Sequence, residues 1–269
     1  MAQWLIKHYK EAGYKDIAFV FANTGLEAEE TLEFTDRCAR HFAFDLYWVE
    51  ANVSPIHGEG VRHNLVTFET ASRNGEPYEA VIEKYGIPSF MAPGCTRDLK
   101  MRPINDFAKV AFNGEKYDSA IGIRYDEIDR QNENAAKQRL VYPLIHLRTT
   151  KPIVNVYWRD MPFRLNIPSY LGNCVACIKK GDKNLFAAIK ERPEAMDFWV
   201  KMWEKHSIGK QGLAYPFRGR RKPSDIIEQA AVADGIARDA RKNYSVQTDL
   251  FDLIEENESC EVYSHCGDK

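Results

Sequence analysis

The sequence predicts an α/β fold: a doubly wound, mostly parallel sheet that lacks its first strand, followed by a mainly helical C-terminal region. Short continuous apolar runs, typical of strands buried on both faces of a parallel sheet, alternate with helical patterns in the first half of the chain. From about residue 150, aromatic residues become dense and helical spacing predominates. We therefore expect an α/β domain over residues 1–150 and a helical region over residues 151–269.

Each predicted element has a local reason. Residues 1–9 place apolar side chains on one helical face, and Gly13 stands where a helix-terminating glycine is expected. Pro103 limits where a later helix can begin, because proline lacks a backbone N–H group. The other elements are strands at 17–21, 44–49, 118–123 and 140–145, a turn at 23–25, a loop at 51–63, and helices at 27–42, 76–85, 99–111, 191–206 and 224–241.

Composition excludes several classes of protein. Of the 269 residues, 44% are hydrophobic and 28% charged, as in an ordinary globular protein rather than a disordered or fibrous one. The 37 Lys and Arg against 39 Asp and Glu leave a net charge of −2, which implies no global attraction to nucleic acid. No apolar run is long enough to span a bilayer and no secretory signal opens the chain. We therefore expect a cytoplasmic protein without a membrane partner.

The six cysteines are the strongest indication of chemistry. Without a secretory signal, they predict reduced thiols or metal ligands rather than disulfides. Cys174 and Cys177 form a Cys-x-x-Cys pair, whose tight turn can bring both sulfurs to one metal or cluster, although the pair could also be incidental. The remaining cysteines are three that could complete a four-sulfur site, Cys95, Cys260 and Cys266, and one on an apolar helix face, Cys38.

Five short motifs follow one another between residues 17 and 180. They are Phe-Ala-Asn-Thr-Gly-Leu-Glu-Ala-Glu-Glu-Thr-Leu at 21–32, Cys-Thr-Arg-Asp-Leu-Lys-Met-Arg-Pro at 95–103, Gly-Ile-Arg at 122–124, Tyr-Pro-Leu-Ile at 142–145 and Gly-Asn-Cys-Val-Ala-Cys at 172–177. Together they resemble the phosphoadenosine phosphosulfate (PAPS) reductase family, which has the adenine-nucleotide α-hydrolase fold. The residues of these motifs are most similar to those of PAPS-reductase-like proteins of phages and of bacterial defence or DNA-modification loci.

The resemblance implies sulfur chemistry that depends on an adenine nucleotide. Members of the family bind ATP or a sulfonucleotide at the carboxyl edge of the sheet, and they either reduce the sulfonucleotide or activate a substrate by adenylation. Carried over to this sequence, the nucleotide-binding residues are Asn23, Thr24, Gly25, Lys100, Gly122 and Arg124. The Glu-Cys-Gly-Ile-His nucleophile motif of sulfonucleotide reductases has only a faint counterpart at Cys266. This difference favours another sulfur acceptor, such as nucleic acid, and leaves the catalytic residue unidentified.

The resemblance also implies a metal site. In cluster-bearing relatives, a cysteine before the Leu-Lys segment pairs with the Cys-x-x-Cys, and Cys95 holds that position here. Those relatives often carry two adjacent cysteines, but Gly94 replaces one of them, so Cys266 or Cys260 is expected as the fourth ligand. Four thiolates suit either an iron–sulfur cluster or zinc, and the resemblance favours the cluster.

Arg124 and the turn at 23–25 also have reasons that do not depend on the resemblance. Arg124 follows an apolar strand at the edge where open α/β sheets bind ligands, and its guanidinium can bind two phosphate or sulfate oxygens. It could instead pair with Asp126 or Glu127 on the surface. Likewise, the turn could be a plain glycine turn.

One family motif has no counterpart in this sequence. The family carries a Ser-Gly-Gly-Lys-Asp-Ser loop after its first strand, whose backbone N–H groups hold phosphate. This sequence opens inside what resembles the helix that follows that loop. Either the start site has been placed too late or the loop has been lost. We favour the late start, because the other motifs are intact and a doubly wound sheet needs its first strand.

A basic segment supports a second hypothesis. Arg218, Arg220, Arg221 and Lys222 follow Phe217, and such a cluster can bind the phosphates of nucleic acid, although a solvated loop is the alternative. If the chain has lost ATP turnover, it would be a non-catalytic, metal-stapled binding module that uses this segment for a partner.

Overall fold

The computed structural model of the chain describes residues 1–56, 58–89, 94–208, 217–218 and 221–233. Helices alternate with short strands and are followed by further helices, so the predicted α/β class with a helical C-terminal region is confirmed. The helices are α1 (Ala2–His8), α2 (Glu29–His41), α3 (Glu76–Tyr85), α4 (Arg102–Ala111), α5 (Pro143–His146), α6 (Lys151–Arg159), α7 (Asp182–Glu191), α8 (Asp197–His206) and α9 (Pro223–Val232). The strands are β1 (Phe19–Ala22), β2 (Leu46–Val53), β3 (Val61–Val66), β4 (Ser119–Ala120) and β5 (Leu140–Val141).

The first sheet has three strands in the order β1–β2–β3. β1 runs parallel to β2, with Phe19 opposite Leu46, as the continuous apolar runs predict. β3 runs antiparallel to β2. The loop predicted at 51–63 is therefore wrong at both ends, because residues 51–53 belong to β2 and residues 61–63 belong to β3. The strand was missed because only one of its faces is buried and because polar residues occupy its centre.

The second sheet pairs β4 with β5 in parallel. Only short parts of the strands predicted at 118–123 and 140–145 take strand conformation. β5 ends at Val141 because Pro143 opens the helical turn α5, where a missing N–H group is tolerated.

The predicted helix at 76–85 is confirmed with the same bounds, as α3. The helix predicted at 99–111 is divided: a π-helical turn, Thr96–Met101, precedes α4, which has Pro103 in its first turn. The helix predicted at 191–206 begins only at Asp197, because Pro193 opens a separate 3₁₀ turn.

The principal core joins the first sheet and α3 to the C-terminal helices. Its members come from both sides of residue 150, and the largest include Tyr78, Ile82, Leu99, Ile178, Leu185, Met196, Phe198, Trp199, Met202 and Ile226. This packing places residues 172–180, which we call the Cys-x-x-Cys loop, against the end of β1. The predicted boundary at residue 150 stays a prediction.

Helix lengths bear on the predicted absence of a membrane partner. The longest helix in the described part of the chain is α2, with 13 residues. None of the described helices is both long and apolar enough to cross a bilayer, which takes about 20 residues. The expected cytoplasmic location stays a prediction.

Candidate functional site

The β1 turn, residues 23–25, is buried and held by a carboxylate of the neighbouring strand. The amide of Asn23, fully buried, donates to Glu50 on β2 at 2.6 Å and to the Ser72 carbonyl at 2.9 Å. Ser72 also donates to Glu50, from its backbone N–H group at 2.7 Å and from its hydroxyl at 2.9 Å. Because these hydrogen bonds are internal, Asn23 fixes the end of β1.

Gly25 allows the β1 turn to lie against a second turn at Gly75. Its φ of +79° is in the left-handed region, and a Cβ atom there would lie 2.9 Å from the backbone nitrogen of Gly75. Gly75 has a φ of +81°, and a Cβ there would lie 2.5 Å from the ring of Phe198. Both positions therefore require glycine, and the β1 turn is held against α3 and α8.

Thr24 and Glu27 connect the β1 turn to the Cys-x-x-Cys loop. The Glu27 carboxylate accepts hydrogen bonds from the Thr24 hydroxyl at 2.8 Å and from the Thr24 backbone at 3.1 Å. The same hydroxyl lies 3.3 Å from the sulfur of Cys174. The backbones of Glu27 and Cys174 pair as an antiparallel bridge, and Val175 donates to the Leu26 carbonyl at 3.0 Å. The predicted nucleotide-binding turn and the predicted metal-binding loop are thus adjoining parts of one structure.

The Cys-x-x-Cys loop turns tightly between its two thiols. Asn173 has a φ of +59°, a left-handed conformation that asparagine adopts more readily than most residues. The backbone N–H group of Cys177 donates to the Cys174 carbonyl at 3.2 Å and closes the turn. The side chains of Cys174 and Cys177 are half-buried.

The third predicted ligand, Cys95, forms a side-chain hydrogen bond with a buried tyrosine, Tyr78. Cys95 directly precedes the π-helical turn and packs against the principal core. Burial raises the pKa of the Tyr78 phenol well above its usual value, and the charges of Cys95, Cys174 and Cys177 raise it further. All three thiols therefore lie close enough to Tyr78 to affect the pKa of its phenol.

The charges around Cys174 oppose its ionisation. Burial raises the pKa of the Cys174 thiol to about 12, and the nearby charges of Glu27 and Cys177 add to the effect. Lys100 and the hydrogen bond with Thr24 act in the opposite direction. A positive charge at the sulfur, such as a metal ion, is what would favour the thiolate here.

The three thiols are ligands of a chemical type that suits a metal. Cys95, Cys174 and Cys177 are soft ligands of the type that iron–sulfur clusters and zinc prefer. Within the described ranges, however, no three Cys, His, Asp or Glu side chains stand close enough together to hold a metal ion. The predicted fourth ligands, Cys266 and Cys260, lie outside the described residues, so the four-thiolate site stays a prediction.

The predicted strand end after β4 has different surroundings. Gly122 is exposed, and a Cβ there would meet the Met1 side chain at an ordinary 3.6 Å. The Arg124 guanidinium binds Asp126 at 3.0 Å and Glu127 at 3.2 Å. No hydrogen bond or ion pair within the described part of the chain joins Arg124 to the β1 turn or to the thiols. Its role as an anion clamp stays a prediction.

The basic segment near the C terminus is used inside the fold. Arg218 is buried, and it binds two backbone carbonyls of the Cys-x-x-Cys loop and the carboxylate of Asp182. Arg221 binds the same carboxylate at 2.7 Å. Lys222 directly precedes α9, and Arg220 lies outside the described residues. These contacts give no support to the predicted contact with nucleic acid.

Sequence analysis missed three residues of this site. Glu27 follows Thr24 at the Thr-x-x-Glu spacing that is typical of reciprocal hydrogen bonds at helix starts, so this pattern could have found it. Glu50 and Tyr78 carry no local signal, because they reach the site from β2 and α3 only through the packing of those elements.

Comparison with known proteins gives two distant relatives. The chain is 27% identical to the uncharacterized nin region protein ORF290 of Escherichia phage lambda, over 97% of this chain and 90% of that protein. It is 23% identical to the uncharacterized protein MJ0066 of Methanocaldococcus jannaschii, over 74% of this chain but only 40% of that protein. No family model and no solved structure matches the chain. The phage relative agrees with the resemblance to phage proteins, whereas membership of the PAPS reductase family stays a prediction.

Proposed function

We propose that the chain is an enzyme related to PAPS reductases that uses ATP or a sulfonucleotide for sulfur transfer or reduction. The observation that carries this proposal is the 3.3 Å separation between the Thr24 hydroxyl and the Cys174 sulfur. A nucleotide at the β1 turn and a metal centre at the thiols would then share one site.

The proposed metal centre is an iron–sulfur cluster, with zinc as the alternative. Cys95, Cys174 and Cys177 would hold it, together with a ligand from the C-terminal segment. A bound cluster would supply redox or Lewis-acid chemistry, whereas zinc would supply a non-redox link. Thr24 keeps the Cys174 sulfur in place, and the charge of Lys100 favours its thiolate.

The proposed nucleotide contacts differ between the two strand ends. Asn23 and Thr24 are buried and already hydrogen-bonded, so they would act by fixing the β1 turn rather than by direct contact. Arg124 would have to exchange Asp126 and Glu127 for phosphate or sulfate oxygens, which its planar fork can bind in pairs. Nucleic acid remains the proposed sulfur acceptor on the resemblance alone.

The experiment is anaerobic purification followed by iron, sulfide and zinc analysis. We expect the parent protein to carry metal, and we expect Cys174→Ala and Cys95→Ala to lose most of it. Cys38→Ala is the matched control, because Cys38 is a half-buried thiol on α2 that is not among the thiols around Tyr78. A parent protein without metal would contradict the proposal. If Cys95→Ala retained the metal, Cys95 would not be a ligand, and the rest of the proposal would stand.

A further inference from the structure

Two buried cations lie behind the Cys-x-x-Cys loop and bind its backbone. Lys180 is only 1% exposed, and its ammonium donates to the carbonyls of Cys174 at 2.7 Å and Val175 at 2.8 Å. Arg218 is 7% exposed, and its guanidinium donates to the carbonyl of Ile178 and, at 2.7 Å, to that of Lys180. Neither cation has a place in the site predicted from the sequence.

A third buried donor completes this set. The indole N–H group of Trp199 donates to the Ala176 carbonyl at 2.9 Å, and Trp199 is 2% exposed. Five carbonyls of the loop are thus bound by three side chains. A buried loop has no ladder of its own to bind these groups, so the side chains take that role.

Arg218 is itself held in place from two directions. Its guanidinium and that of Arg221 bind the same carboxylate, that of Asp182 in the first turn of α7. Its backbone also pairs with that of Arg221, with N–H to carbonyl distances of 3.2 and 3.4 Å. The Cys-x-x-Cys loop is therefore tied to α7 through Arg218.

The charged donors hold the loop more strongly than a neutral donor such as Trp199 does, because hydrogen bonds from a cation are roughly twice as strong as neutral ones. The charge of Arg218 is balanced inside the fold by the carboxylate of Asp182. Groups that bind the backbone next to metal ligands commonly orient those ligands, and Lys180 and Arg218 bind the backbone next to the predicted ligands Cys174 and Cys177.

We propose that Lys180 and Arg218 are positioning residues that set the conformation of the Cys-x-x-Cys loop before metal arrives. The inference rests on the proposed function for its metal, but the loop conformation can be measured without one. Both cations would act through the backbone carbonyls that they bind.

The experiment uses the full chain with Lys180→Met, which removes the charge but keeps an unbranched side chain. Lys179→Met is the matched control, because Lys179 is the adjacent lysine and is exposed. In metal-free protein, we expect the loop amides at 175–180 to exchange hydrogen at least about tenfold faster in Lys180→Met, with α2 unchanged. In titrations with Co²⁺, followed by thiolate-to-cobalt absorption, we expect the same variant to bind about 10- to 100-fold more weakly. Lys179→Met should match the parent in both.

A second pair of variants covers the case in which Lys180→Met fails to fold. Arg218→Met should lose loop protection and Co²⁺ affinity, and Arg218→Lys, which keeps the charge, should restore part of both. Parent-like exchange and affinity in Lys180→Met and Arg218→Met would overturn the proposal, as would faster loop exchange with unchanged affinity. A parent protein that binds neither Co²⁺ nor iron with sulfide contradicts the proposed function. If the loop amides of Lys180→Met still exchanged hydrogen faster than those of the parent, the result would support only the positioning role of Lys180.

Discussion

The two strand ends predicted to bind a nucleotide are built in opposite ways. After β1, Asn23 and Thr24 are fully buried, and they form hydrogen bonds with the carboxylates of Glu50 on β2 and of Glu27, just after the turn. After β4, Gly122 is exposed, and Arg124 pairs with carboxylates a few residues further along the chain. The first end is locked by the fold, whereas the second is held by local ion pairs.

Two strand ends with similar motifs can thus have different physical roles. A buried polar group must be satisfied internally, so the side chains after β1 hold the backbone in place. The ion pairs of Arg124 join residues that are close in the chain and keep part of their surface in water, so we expect them to contribute little to stability and to exchange partners with a ligand. The β1 turn is therefore expected to be sensitive to substitution in the absence of any ligand, and Arg124 only in its presence.

The largest expected effect comes from adding one methyl group at each strand end. Gly25→Ala should lower the free energy of unfolding by about 2–4 kcal/mol, because the Cβ meets backbone atoms and φ is left-handed. Gly122→Ala, the matched control, should change it by less than about 0.5 kcal/mol. Urea unfolding measures both, and equal effects would remove the contrast between the two ends.

A smaller effect is expected when the buried amide of the β1 turn is removed. Asn23→Ala should cost about 1.5–3 kcal/mol, because the Glu50 carboxylate loses a donor where little water can replace it. Asn52→Ala removes an exposed hydrogen bond of 2.9 Å that the Asn52 amide donates to Asn64, and it should cost about 0.5 kcal/mol. Thermal unfolding of the two variants tests the difference, and similar losses would mean that burial is not what makes Asn23 important.

A pH effect is expected at the arginine pair that holds the Cys-x-x-Cys loop. The hydrogen bond from Arg221 holds the pKa of Asp182 below its usual value, with partial burial opposing it and Arg218 adding to it. Asp182 therefore stabilises the fold above its ordinary pKa, and this contribution is lost as pH falls through the lower folded value. Asp182→Asn should flatten the decline in unfolding free energy below about pH 5. An unchanged decline would assign acid sensitivity to other carboxylates.

The smallest effect on stability is expected at Arg124. Burial alone would raise the pKa of Asp126, but the hydrogen bond and charge of Arg124 outweigh it and hold the pKa below its usual value. Arg124→Met should raise the pKa of Asp126, measured by NMR, while lowering the unfolding free energy by less than about 1 kcal/mol. If Arg124 turns to a bound nucleotide, ATP should raise the same pKa in the parent but not in the variant. If ATP did not change the pKa of Asp126, Arg124 would be only a partner in a structural ion pair.

Much of the fold could be predicted from the sequence, because its signals are local. The apolar runs identified β1 and the start of β2, and a glycine at each end marked the limits of α3. The errors occur where a local pattern is incomplete. β3 has one buried face and polar central residues, and prolines shortened β5 and α8 at points where apolar spacing alone would continue.

The candidate site was predictable in its residues but not in its connections. The β1 turn and the Cys-x-x-Cys pair were each visible as motifs, yet nothing local indicates that Thr24 meets Cys174, about 150 residues later. The same holds for the basic segment. Arg218 resembles a solvent-exposed cation in the sequence, and only long-range packing reveals the carbonyls that it binds.

We propose that the β1 turn and the Cys-x-x-Cys loop form a single site for nucleotide and metal. The most direct measurement titrates the metal-loaded protein with ATP and with PAPS while recording the visible circular dichroism of the metal centre. We predict a saturable spectral change with at least one of the two, reduced in Thr24→Val, because Thr24 links the turn to the Cys174 sulfur. Nucleotide binding by calorimetry without any spectral change would contradict the claim.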